Sequence, residues 1–247
     1  MLDDIKHKFM KKWTGYFPTA ALPIAFYYTD DKSRAEPVAP PTEWRCLIAQ
    51  LARVRHGRQL LFDMNSIGCG GGRQYAGFDE PEQPGFEHFL SCGIPGKIEG
   101  LRYKKTPEMV REQMDAQPEF KAPGKFIVFK RWDMLDADDD PRVVIFFSPP
   151  DIISALYNLA NFDETDPNMV ITPTGSGCSQ IIYFPYHESQ STRPRCILGM
   201  FDLSARPYVP KNIFTFAAPL SKFLCMIDNM DESFLITDTW KRLKKRI

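Results

Sequence analysis

Three consecutive pieces of sequence decide the fold: Arg142-Val143-Val144-Ile145-Phe146-Phe147, then residues 151–161, then Met169-Val170-Ile171-Thr172. After Arg142 the first is an unbroken apolar run rich in β-branched and aromatic residues, the composition of a buried strand. The second sets Ile153 and Leu156 at helical spacing. The third is a second short strand. The unit ends in Gly175-Ser176-Gly177-Cys178, a turn with a thiol at its close.

The same order occurs earlier in the chain. Pro23-Ile24-Ala25-Phe26-Tyr27-Tyr28 reads as a strand, and 43–55 reads as a helix with Ile48 and Leu51 matching Ile153 and Leu156. A strand over 59–63 follows, and then Gly68-Cys69-Gly70. Cys69 follows Leu60 by nine positions, and Cys178 follows Met169 by nine. Strand-helix-strand units are common enough for chance to produce two. The regular spacing nevertheless predicts an internal repeat, with arms over about 20–78 and 124–190. On this reading the protein is α+β: two related βαβ-containing halves about a pseudo-twofold axis, sharing a mixed sheet with peripheral helices. Cys69 and Cys178 would then be equivalent.

The remaining elements fall around these arms. Leu2, Ile5, Phe9 and Trp13 predict an amphipathic helix over 2–14. Residues 30–42 hold Pro37, Pro40 and Pro41 and read as a loop. Residues 79–123 form an irregular insert with short helices at 86–92 and from Thr106, where Thr106 suits an N-cap and Pro107 the first helical position. A strand over 126–129 and an acidic turn over 136–140 precede the second arm. The C-terminal part, 191–247, holds strands near 195–203 and 213–217 and helices over 221–230 and 237–246. All of this is expected to form one compact domain over 1–247.

Composition removes several functions. There are 31 basic and 31 acidic residues, so no global field recruits nucleic acid or an anionic membrane. No apolar run approaches the ~18 residues needed to span a bilayer. The first residues lack the order of a signal peptide, so a cytoplasmic location is expected, with reduced thiols. The expected partner is a small molecule or cofactor, held in a local cleft, without nucleic acid or membrane. A homo-oligomer is compatible with everything above.

The six cysteines, at 46, 69, 92, 178, 196 and 225, contain no Cys-x-x-Cys pair, which excludes zinc ribbons and local ferredoxin motifs. Cys46, Cys69 and Cys178 each fall near an expected helix start. A thiol there ionises readily, because the first helical amides lack intrahelical partners. Gly68, Gly70, Gly71 and Gly72 free the adjoining backbone for tight or left-handed conformations, and Gly177 and Ser179 flank Cys178 in the second candidate site. A three-cysteine set of this kind could hold a soft metal ion or an iron–sulfur cluster with one open position. Cys92, Cys196 and Cys225 lie in apolar segments and read as packing residues.

Other signatures fail. The 68–73 glycine run lacks the last glycine of a dinucleotide fingerprint, and there is no phosphate-loop lysine. Asp136-Ala137-Asp138-Asp139-Asp140 begins like a calcium loop, but Pro141 and Phe147 stand where glycine and glutamate belong. His187 lacks the second histidine of a zinc protease helix. Asp202 and Arg206, set within apolar sequence, would either pair with each other or offer Arg206 to an anion.

These landmarks resemble the prokaryotic family called domain of unknown function 169. The resemblance is carried by Leu22-Pro23-Ile24-Ala25-Phe26, by Cys46 opening a helix, and by Gly68-Cys69-Gly70-Gly71. It continues through Gly175-Ser176-Gly177-Cys178 with Tyr183-Phe184-Pro185-Tyr186, and through 199–206, 216–219 and 231–234. It implies a soluble protein of a kind frequent in anaerobes and archaea, and no activity.

Three functions therefore stay open. The first is binding of a metal, cluster or thiol-reactive cofactor at Cys46, Cys69 and Cys178. The second is an enzyme or binding module for a small anionic metabolite, held by helix-start amides near Gly70 and Ser179 with Arg73 or Arg206. The third is an interaction protein with structural cysteines.

Overall fold

The computed structural model describes residues 2–78 and 84–247. The first five residues of the expected insert, 79–83, lie outside the described residues. The chain forms two compact units, 1–78 with 122–247 and, separately, 79–121.

The larger unit is built on an eight-stranded mixed sheet. Its strands are β1 (Ile24–Thr29), β2 (Glu36–Pro37), β3 (Leu60–Phe62), β4 (Phe126–Arg131), β5 (Val143–Ser148), β6 (Val170–Ile171), β7 (Cys196–Gly199) and β8 (Phe214–Pro219). Across the sheet the order is β2-β3-β4-β1-β5-β8-β7-β6. The two edge pairs, β2 with β3 and β6 with β7, are parallel, and every other pairing is antiparallel.

Counted from the centre, each half of the sheet thus uses its four strands in one order: first, fourth, third, second. This gives a different correspondence from the one the spacing suggests. β6 stands where β2 does, and the counterpart of β3 is β7. The crossover between the second and third strands is helix α2 (Leu47–Arg55) in one half. In the other it is a π-helical turn, Ser179–Tyr183, running into α7 (Phe184–Glu188). Cys46 is the N-cap of the first crossover and Cys178 of the second. By strand order Cys178 corresponds to Cys46 and not to Cys69.

Period-two alternation divides the strand side chains between two cores. Ile24, Phe26, Phe62, Phe129, Ile145 and Ile197 face α2 and the π-turn. Ala25, Val144, Phe146 and Phe216 face the other way, toward α1 (Leu2–Tyr16), α6 (Pro150–Ala160) and α8 (Leu220–Asn229). There Phe9 and Trp13 stack with ring centroids 5.3 Å apart, and Phe223 meets Trp132 edge-on at 4.8 Å. Burial on both faces explains why β5 reads as a continuous apolar run. Among the described residues, no helix is long and apolar enough to cross a membrane.

Several boundaries move for local reasons. The Pro-rich loop contains the short β2. Helix α2 begins at 47, not 43, because Cys46 is extended at its N-cap (φ −64°, ψ 130°). β7 stops at Gly199 because Met200 turns into the left-handed region at φ 72°. The acidic turn has a structural partner: Lys130 of β4 is fully buried and donates to Asp136 at 2.6 Å and Asp139 at 2.8 Å. The Tyr27 hydroxyl also donates to Asp139. Cys196 packs in the core as expected, whereas Cys225 on α8 is exposed, because it falls on that helix's solvent side.

The smaller unit holds α4 (Phe86–Leu90) and α5 (Pro107–Asp115), joined by an ion pair between Arg111 and Glu87. Thr106 caps α5 by accepting from the Met109 amide, with Pro107 at the first position. Cys92 is exposed here, beyond the end of a short helix, and is not a packing residue.

Candidate functional site

The loop leaving β3 and the loop entering α2 run side by side, with the Arg45 amide donating to the Gly68 carbonyl at 3.2 Å. A Cβ at Gly68 would stand 2.9 Å from Pro41 Cγ and 3.0 Å from the Arg45 backbone nitrogen. Glycine is needed there for close approach, and not for a left-handed backbone: none of Gly68, Gly70, Gly71 and Gly177 has positive φ. Helix α3 (Gly70–Tyr75) starts directly after Cys69, which is its N-cap.

The second half makes a parallel arrangement. The Gly177 amide donates to Asp202 Oδ2 at 2.9 Å, and a Cβ at Gly177 would meet the Ala205 Cβ at 2.9 Å and Ile48 of α2 at 3.5 Å. Gln180 fixes this side. Its Oε1 accepts from the Met200 amide at 2.7 Å and the Phe201 amide at 3.3 Å, while its Nε2 donates to the Pro173 carbonyl. The left-handed turn at Met200 is thereby tied to the π-turn that starts after Cys178.

The two constructions meet at their sulfurs. Cys178 and Cys69 are both buried, and lie close enough for each to shift the other's ionisation. The Cys178 thiol beside it lowers the Cys69 pKa to about 6 against the opposing cost of burial. The Leu47 and Gly72 amides and the Arg73 charge act in the same direction. Cys178 moves the other way, well up, because its proton is held by Cys69 and because it is buried. Cys46 is also raised, chiefly by burial, with the negative charges of Cys69 and Asp202 adding to the effect. Within the pair Cys69 is therefore the thiol that ionises more readily.

Each expected site residue can be placed. Gly70 and Gly71 form the first turn of α3, and Arg73 follows in its last turn. The Ser179 amide is taken by Ser176 Oγ at 3.1 Å. Asp202 Oδ1 accepts from the Ser204 amide and hydroxyl. Arg206 does not offer its fork to a cleft: it donates to the Ile213 and Lys211 carbonyls, its guanidinium 5.2 Å from the centre of the Phe214 ring. Among the described residues, no group of three or more His, Cys, Asp and Glu side chains is placed to hold a metal ion.

Residues 19–229 match the DUF169 family, described as uncharacterised ArCR. The chain belongs to this family. No curated protein and no solved structure matches it. The DUF169 match spans both sheet halves and all three clustered cysteines.

One tyrosine near the thiols, Tyr75, escapes sequence reasoning. Tyr75 is raised to about 12, first by burial and then by Cys178, and its ring packs 5.8 Å from that of Tyr183. His187 packs edge-on against Tyr183 at 4.5 Å, where burial favours its neutral form. Nothing in the local sequence marks Tyr75, because only the fold brings α3 beside the π-turn.

Proposed function

We propose that this protein uses Cys69 as a nucleophilic thiolate to capture a small thiol-reactive ligand, with Cys178 as the thiol that stabilises and answers it. The observation that carries this reading is the placement of two buried sulfurs beside each other, each at the start of a helical turn. A thiolate attacks electrophiles, whereas a neutral thiol does so slowly. The neighbouring Arg73, Leu47 and Gly72 groups all favour the ionised form of Cys69. The 8% exposure of Cys69 limits the ligand to a small or slender group. Cluster or metal binding lacks a fitting donor set among the described residues. The two halves share one strand order, and each opens its crossover with a cysteine; this supports a duplicated unit as the origin of the site.

The test is the pH dependence of Cys69 alkylation by iodoacetamide, read at the peptide level by mass spectrometry. Reaction should switch on with a midpoint near pH 6. In Cys178→Ala the midpoint should rise toward that of a free thiol, about 8.5. A wild-type midpoint near 8.5, or one insensitive to Cys178→Ala, would overturn the proposal.

A further inference from the structure

Away from the thiols, at the far end of α2, the larger unit has an open cleft of about 510 Å³. The nine residues of α2 put this end ~13 Å from the Cys46 end. The cleft is lined by Arg55, Phe147, Asp151, Asn212, Ile213 and Arg246, among others. Arg246 and Asp151 pair with each other across 3.2 Å, so that charge is already balanced.

Arg55 is different. Among the described residues its guanidinium makes no hydrogen bond and no ion pair; it lies over the Phe147 ring, 4.8 Å from the centroid. The side chain is partly buried, and burial alone lowers its pKa. A cation at a helix C-terminus gains from the helix dipole. That accounts for a cation at position 55. It does not account for one folded back onto an aromatic face beside a cleft whose carboxylate, Asp151, is already paired with Arg246. Removing a cation from water without supplying a partner costs stability, so such groups in folded proteins are ordinarily paired.

We infer that this cleft binds a small organic carboxylate, its anionic head on Arg55 and its apolar body against Phe147 and Ile213. The planar guanidinium fork matches a carboxylate with two parallel hydrogen bonds. A single unbalanced positive charge favours a monoanion over a phosphate dianion. Asn212 supplies a further polar group at the rim, and the volume is within the range of small-ligand sites. This site is independent of the Cys69 reading, since it shares no residue with it.

The experiment titrates the full chain with sodium benzoate against sodium chloride at equal ionic strength, following thermal unfolding and the ring-region NMR signals. Benzoate should raise the Tm of the wild type. Arg55→Met should remain folded without ligand, and should bind benzoate at least about tenfold more weakly. Arg55→Lys, which keeps the charge without the fork, should fall between them. Equal benzoate responses in wild type and Arg55→Met, or none in either, would overturn the inference. An Arg55-dependent response to inorganic phosphate as strong as that to benzoate would overturn the carboxylate assignment.

Discussion

At position 72 the absence of a side chain makes room for a sulfur. A Cβ on Gly72 would stand 2.8 Å from Cys69 Sγ, 2.8 Å from Ile67 Cγ2 and 3.3 Å from Leu47 Cβ. Gly72→Ala should therefore destabilise the fold by ~1–3 kcal/mol in urea denaturation, through overpacking, and should displace the sulfur from Cys178. The thiolate also links stability to pH. The Cys69 pKa is lower in the folded chain than unfolded, so its contribution is fully present above the ordinary thiol range and is lost as pH falls through about 6. Cys69→Ser should cost more stability at pH 8 than at pH 5.5; equal costs would contradict the assignment. Cys69 and Cys178 were legible because glycine neighbours marked both as turn residues. The identity of the sulfur that loses its proton was not, because it depends on donors from Leu47, Gly72 and Cys178 that only the fold assembles.

At the scale of elements, the π-turn at 179–183 is the part that sequence reasoning could not anticipate. Its residues are wholly buried and resemble any apolar helix, and nothing in their order reports a wider hydrogen-bonding pattern. The strand expected over 195–203 overshoots for a related reason. Met200 and Phe201 prolong the apolar pattern, but Met200 leaves the strand at positive φ and is held there by Gln180. Gln180→Leu should cost ~1–3 kcal/mol, since two amides then lose their acceptor. It should also loosen the Asp202 loop that holds the Gly177 amide, which faster hydrogen exchange at Gly177 would report. The helices with clear apolar spacing, α1, α6 and α8, were legible to within a few residues, because one buried stripe sets each of them.

For the whole molecule, equal numbers of acidic and basic residues leave recognition to local features, and the charges that matter are inside. Lys130 illustrates this. Lys130→Met alone strands Asp139 in the interior and should cost ~3–5 kcal/mol, whereas adding Asp139→Leu should recover part of the loss. The acidic turn at 136–140 announced itself in the sequence; its partner did not, because a lysine inside an apolar strand carries no sign of burial. The α+β class and most strands were legible from alternation and apolar runs. The sheet order was not: equal spacing pairs Cys69 with Cys178, whereas position in the strand order sets Cys178 beside Cys46. The account rests most heavily on two sulfurs, far apart in sequence, meeting between the sheet halves. Brief treatment of the native protein with hydrogen peroxide, followed by disulfide mapping, tests this directly. Cys69 thiolate should be oxidised to the sulfenic acid, which Cys178 then displaces with loss of water, giving a disulfide between residues 69 and 178. If Cys69 and Cys178 stay reduced while exposed Cys92 and Cys225 oxidise, or if each pairs with another cysteine, the central claim is contradicted.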